Sequence, residues 1–104
     1  MSWEIEYTNK AIEDLAKLDA SIRVRVYKAL ERVAQNPVSK FDGGYGNPLG
    51  HKHGVDLSGL YKIKFKSVGI RVVYGLKKVE KRMIIIVISA REDDEVYIEA
   101  GKRR

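Results

Sequence analysis

Trp3, Ile5 and Tyr7 alternate with Glu4 and Glu6, a period of two that predicts a short opening strand with one buried face. The period then lengthens. Ala11, Leu15 and Leu18, with Ile12 alongside, fall at helical spacing behind Thr8 or Asn9, whose short polar side chains suit the free N–H groups of a first turn. Ile22, Val26, Ala29, Leu30 and Val33 predict a second helix from Asp19 or Ala20 to Gln35. Asn36-Pro37 ends it, because a residue before proline avoids the helical region. Together these helices predict an antiparallel hairpin over one face of a sheet. Residues 41 to 59, FDGGYGNPLGHKHGVDLSG, hold six glycines and one proline and predict a long loop in place of an element.

Strict alternation returns after Gly59. Tyr61, Ile63 and Phe65 point one way and Lys62, Lys64 and Lys66 the other; beyond the turn region Ser67-Val68-Gly69, Ile70, Val72 and Tyr74 alternate with Arg71, Val73 and Gly75. Pairing Phe65 with Ile70 gives all the large apolar residues one face and sets Lys64 opposite Arg71, whereas a slip of one residue would bury Arg71. Met83 to Ile88 is apolar on both faces, which predicts the centre of the sheet, and it delivers Ser89, Ala90 and Arg91 to a strand end. Asp93 or Asp94 then caps a short last helix carrying Val96, Tyr97 and Ala100, with Lys102, Arg103 and Arg104 at the negative end of its dipole. The fold class is therefore α+β: an antiparallel sheet of about four strands, an N-terminal helical hairpin on one face and a short C-terminal helix.

Charge sharpens this picture. The chain of 104 residues is long enough for one core, so residues 1 to 104 are expected to form a single domain. Its net charge is +6, and residues 60 to 91 alone hold nine cations against one anion, Glu80. A positive field concentrated in this way suits a polyphosphate partner. Like charges facing each other on a sheet repel, so grouping Lys62, Lys64 and Arg71 is unfavourable unless an anion lies between them. The absence of cysteine removes disulfides, thiolate nucleophiles and thiolate-bound metals. The longest apolar run, residues 83 to 88, is far short of the roughly 20 residues of a spanning helix, and a soluble, cytoplasmic protein with no membrane partner is expected.

No serine sits in a nucleophile elbow, no glycine loop precedes a helix with Lys-Ser or Lys-Thr, and no carboxylate pair is expected on the basic face. Nucleotide hydrolysis, acyl transfer and two-metal nuclease chemistry thus lack their parts. His51 and His53 have no third ligand close by in the sequence, so no metal or other cofactor is expected; Lys52 between them suits a phosphate contact or plain solvent. Tyr97 has a structural reading, packing with Val96 and Ala100, and a chemical one, as a phenol near cations.

LYKIKFKSVGIRVVY, the strand ending VISAR and the segment REDDEVYIEAGKR together resemble the RelE branch of the RelE/ParE toxins of type II toxin-antitoxin systems, over nearly the whole chain. The resemblance implies a ribosome-dependent endoribonuclease, an mRNA interferase held inactive by a cognate antitoxin, with ribosome and mRNA as further partners. It implies catalytic roles for Lys62, Lys64, Arg71, Arg91 and Tyr97. In the family's reaction the substrate's own 2′-hydroxyl attacks the adjacent phosphate, leaving a 2′,3′-cyclic phosphate and a 5′-hydroxyl without a metal. Cations near a phenol favour the phenolate, so Lys62 and Lys64 suit activation of Tyr97, although a lysine as the base stays open. Arg71 suits the charge on the pentacoordinate phosphate, and Arg91 the leaving 5′-oxygen. Two features depart from the family: the acidic Glu92, Asp93 and Asp94 between Arg91 and Tyr97, and the long glycine-rich segment. A gyrase-inhibiting toxin like the ParE branch and a catalytically silent RNA-binding relative are the alternatives.

Overall fold

The computed structural model describes residues 2 to 52 and 54 to 104. Strand β1 (Glu4–Tyr7) leads into helices α1 (Asn9–Ala16) and α2 (Ala20–Val33) and a short 3-10 turn (Lys40–Asp42). Strands β2 (Asn47–Lys52), β3 (Val55–Phe65), β4 (Ile70–Lys77) and β5 (Arg82–Ser89) follow, and helix α3 (Asp93–Arg103) closes the order. The sheet runs β1-β5-β4-β3-β2, with β1 parallel to β5 and the other neighbours antiparallel.

Thr8 is the cap of α1: its hydroxyl oxygen accepts from the Ala11 N–H at 3.2 Å and its O–H donates to the Ile85 carbonyl at 2.9 Å. One side chain thus starts the helix and ties it to β5. Ala11, Leu15, Val26, Leu30 and Val33 pack from the hairpin onto Ile63, Ile70, Val72, Tyr74, Met83, Ile85 and Ile88. Tyr74 is fully buried there, stacks on Tyr61 and donates to the Pro37 carbonyl at 2.7 Å. Its phenol is pushed far upward by burial and by Tyr61, which suits a structural hydroxyl.

Four expectations need correction. The sheet has five strands, because residues 47 to 52 form β2 and β3 already begins at Val55. Glycine there does not prevent pairing: Gly50 and Gly59 take positive φ inside or beside a ladder whose register shifts between Pro48 and Gly50, and buried Leu49 and Leu57 anchor the ribbon. β5 is interior, yet β4 is the middle strand, because β1 adds only one short neighbour beyond β5. Ile12 is 53% exposed, since it is turned away from the stripe that its neighbour Ala11 joins. Finally, α2 stops at Val33, and 3-10-type bonds from the Gln35 and Asn36 N–H groups finish the turn.

The face opposite the hairpin is covered in part by α3, where Val96, Tyr97 and Ala100 pack on Leu57, Leu60, Val73 and Val87. A bulge in β5 opposite Val73/Tyr74 leaves Ile86 unpaired and turns both Ile86 and Val87 toward α3. Gly101 permits the close approach, since a Cβ there would meet a Val55 methyl at 2.5 Å. Among the described residues, no helix is long and apolar enough to cross a membrane.

Candidate functional site

The β3–β4 hairpin sets the site. Its register is Phe65 with Ile70, Lys64 with Arg71 and Lys62 with Val73, and the next ladder pairs Arg71 with Ser89. Because Ile63, Ile70 and Val72 are committed to the hairpin core, the alternate residues Lys62, Lys64 and Arg71 stand on the α3 face. This is the cationic group that the alternation predicts.

What lies against it comes from the start of α3. Glu92 is the N-cap residue but makes no side-chain cap bond. Asp93 does not cap the helix either: one of its carboxylate oxygens accepts from Arg71 Nε, and the other is 3.5 Å from Lys62 Nζ. Arg71, with 12% of its side chain exposed, also donates from Nη1 to the Arg91 carbonyl at 2.7 Å and lies 3.8 Å from Glu92 through Nη2. Nε, Nη1 and Nη2 of the guanidinium therefore all face acceptors. Partial burial alone would raise the Asp93 carboxyl, but the hydrogen bond from Arg71 and the charge of Lys62 outweigh it and hold the carboxyl below its usual range.

Tyr97 is almost fully buried, one α3 turn on from Asp93, and Lys62 Nζ lies 5.6 Å from its ring centroid. Burial works to lower the Lys62 ammonium, yet the Tyr97 hydroxyl and the Asp93 carboxylate more than offset it, so its pKa is raised. The two readings of Tyr97 are thus compatible, because its ring packs with Val96 and Ala100 while its hydroxyl meets a lysine. Lys64 is exposed and forms no ion pair among the described residues. Arg91 is also exposed; its backbone is tied to Arg71 and to the Ser89 hydroxyl, and the residue lines a groove of about 490 Å³ between α1 and α3. Arg91 therefore borders the trio without its guanidinium joining it.

Two further expectations change. Carboxylates do sit on the basic face, those of Glu92 and Asp93. A helix start beyond the last strand folds back over the hairpin, which strand periodicity does not reveal; the signal available was an acidic run placed directly after a basic segment. The cations of residues 60 to 91 do not form one field, since Lys77, Lys78, Lys81 and Arg82 lie at the opposite end of β4 and β5 from Arg71 and Arg91. Of the two histidines, His53 lies outside the described residues, and His51 sits 3.9 Å from Asp56 in a largely exposed pair. No group of three His, Cys, Asp or Glu able to hold a metal occurs among the described residues.

One cluster escaped the sequence reading. Asp14 of α1 accepts from Arg103 of α3 at 2.7 and 3.1 Å and from the Ile88 N–H at 3.0 Å. Arg103 also binds Glu99 at 2.7 Å and the Ile86 carbonyl at 2.8 Å. This nearly buried clasp fastens the far end of α3, and with it the bearing of Tyr97. Its trace in the sequence is an acid within the apolar stripe, Asp14 between Ala11 and Leu18.

A family model described as the ParE toxin of the type II toxin-antitoxin system parDE matches residues 5 to 95. A relative named mRNA interferase toxin RelE, from Escherichia coli strain K12, is 30% identical over 105 residues, which cover 99% of this chain and 98% of the relative. The solved structure of a mutant Escherichia coli toxin RelE in the free state aligns with a TM-score of 0.75 at 29% identity, covering 99% of this chain and 98% of that one. The same toxin in complex with a peptide of the antitoxin RelB aligns with a TM-score of 0.68 at 28% identity, covering 100% and 99%.

Proposed function

The chain belongs to the RelE/ParE family of type II toxin-antitoxin toxins, and we propose that it is a cytoplasmic, ribosome-dependent endoribonuclease that cleaves mRNA and is masked by a cognate antitoxin. The observation that carries this reading is the meeting of Lys62, Lys64, Arg71 and Tyr97 on one face of the sheet. The full-length similarity to a relative named mRNA interferase supports it.

In the reaction, the 2′-oxygen of one nucleotide bonds to the adjacent phosphorus, the bond from phosphorus to the 5′-oxygen breaks, and a proton passes from the 2′-hydroxyl to a base while the leaving oxygen gains one. Lys62 holds its proton firmly because Tyr97 and Asp93 stabilise its charge, so it serves as a donor and a neighbouring cation. The accepting role falls to the Tyr97 oxygen that Lys62 touches. Arg71 and Lys64 stabilise the phosphoryl oxygens as charge builds, and Arg91 serves the leaving oxygen from the end of β5.

Inducing the protein in cells and mapping mRNA 5′ ends tests this reading. New ends inside translated frames are expected, and single-turnover cleavage on programmed ribosomes yields 2′,3′-cyclic phosphate termini. Intact transcripts during a growth arrest would overturn it. The match to a ParE toxin model favours gyrase inhibition as the second reading, which a supercoiling assay separates from the first.

A further inference from the structure

Asp93 is the unexplained member of the site. It stands at the first residue of a helix whose start has no side-chain cap, so it does not serve the helix end with a hydrogen bond. Its carboxylate instead bridges two of the three cations that the strand register brings together, Arg71 through Nε and Lys62 at 3.5 Å. Glu92 adds a second carboxylate at 3.8 Å from Arg71 Nη2. A planar, two-oxygen anion between a guanidinium and an ammonium has the charge and acceptor geometry of a phosphodiester's two non-bridging oxygens. Arg71 has little capacity left: Nε faces Asp93, Nη1 the Arg91 carbonyl and Nη2 Glu92.

We propose that Asp93 is an affinity-determining residue of the RNA site, an internal anion that occupies the scissile phosphate's place on Arg71 and Lys62 and must be displaced when RNA binds. The inference rests on the RNA-cleaving reading and adds to it a competitor encoded in the chain itself. Displacement is feasible because 37% of the Asp93 side chain is exposed and the residue begins its helix, where no intrahelical bond holds its N–H. Lys64, exposed and without an ion pair among the described residues, is the cation that a phosphate meets first. Among the described residues, the charged groups against Asp93 are Lys62 from β3 and Arg71 from β4, and Glu92 from its own segment approaches the same Arg71 guanidinium.

The test measures binding of a 2′-O-methyl RNA hexanucleotide, which cannot undergo 2′-hydroxyl attack, and of inorganic phosphate to the full chain and to Asp93→Asn. The substitution is expected to tighten hexanucleotide binding at least tenfold. It is also expected to lower Tm in phosphate-free buffer, with phosphate restoring Tm in Asp93→Asn far more than it raises Tm in the unsubstituted chain. Equal or weaker RNA binding by Asp93→Asn, or an equal phosphate effect on both, overturns the proposal, as a merely structural Asp93 would give loss of Tm without rescue. Should Asp93→Asn not fold, NMR of the unsubstituted chain decides: the Arg71 Nε–H and Asp93 carboxyl resonances must shift together on titration with the hexanucleotide, and binding that leaves both in place rejects displacement. A chain that cleaves mRNA on ribosomes yet shows none of these effects loses only this inference. A chain that shows them but never cleaves loses the nuclease reading instead.

Discussion

Asp93 and Lys62 share one ion pair but fail at opposite ends of the pH scale. The Asp93 carboxyl titrates below its unfolded value of about 3.9, so its contribution to stability is present above that pH and is lost as pH falls through the lower folded value. Lys62 titrates above its unfolded value of about 10.4, so its contribution is complete below that pH and is lost as pH rises through the higher folded value. The Tm difference between the parent and Asp93→Asn in phosphate-free buffer should therefore be greatest near neutrality and shrink below pH ~4. Thermal melts across pH 2 to 8 check it; a difference that persists in acid would mean that lost packing, not charge, explains it. Tyr97→Phe keeps the buried ring and removes only the hydroxyl that meets Lys62. It is expected to cut single-turnover cleavage by about 10² to 10⁴ while costing only ~1 kcal/mol of stability, the scale of one hydrogen bond. Arg71→Ala should reduce cleavage at least as far, and a variant retaining wild-type rates would remove Arg71 from the proposed chemistry.

The legibility of each element follows its period. β3 and β4 alternate so strictly that their register follows from keeping Arg71 out of the core, and the observed pairs Lys64 with Arg71 and Phe65 with Ile70 agree. The α1–α2 hairpin was readable from its stripes, apart from Ile12. β2 was not, because six glycines mask a strand whose apolar anchors are only Leu49 and, across the ladder, Leu57. Helix α3 was seen, but its contacts were not, since Asp93 looks outward to Arg71 and Arg103 reaches across to Asp14, pairings 22 and 89 residues apart. That last pair yields an element-scale prediction. Asp14→Ala leaves Arg103 charged and nearly buried with only the Glu99 carboxylate and the Ile86 carbonyl of its present partners, which should cost about 3 kcal/mol. Hydrogen exchange should quicken across α3 before it does so in β3 and β4, because the clasp holds the helix to β5 while the sheet keeps its own ladders. Uniform quickening would place the clasp in the global core instead.

At the scale of the whole molecule, the nine cations of residues 60 to 91 are divided between two ends of the sheet, although they are neighbours in sequence. Arg71, second residue of β4, and Lys77, its last, are six residues and so ~20 Å apart along an extended chain. Lys77, Lys78 and Lys81 cluster around the β4–β5 turn, and Arg82 is drawn to Glu4 and Glu6 of β1 at 3.6 and 3.2 Å. At physiological ionic strength the Debye length is ~8 Å, so the far group contributes little field at the Arg71 site. The two ends are therefore separable by substitution. Lys78→Gln with Lys81→Gln should leave hexanucleotide affinity within about twofold, since neither group lies within a screening length of the site. Lys62→Gln with Lys64→Gln removes the same formal charge but is expected to weaken binding and flatten the plot of log affinity against log salt by about 1.4, at roughly 0.7 per phosphate contact on a single strand. Affinity measured from 50 to 300 mM salt distinguishes local contact from net charge. If both double variants lose affinity and slope equally, the protein binds RNA through its overall charge, and the Lys62, Lys64 and Arg71 face is not a distinct phosphate site.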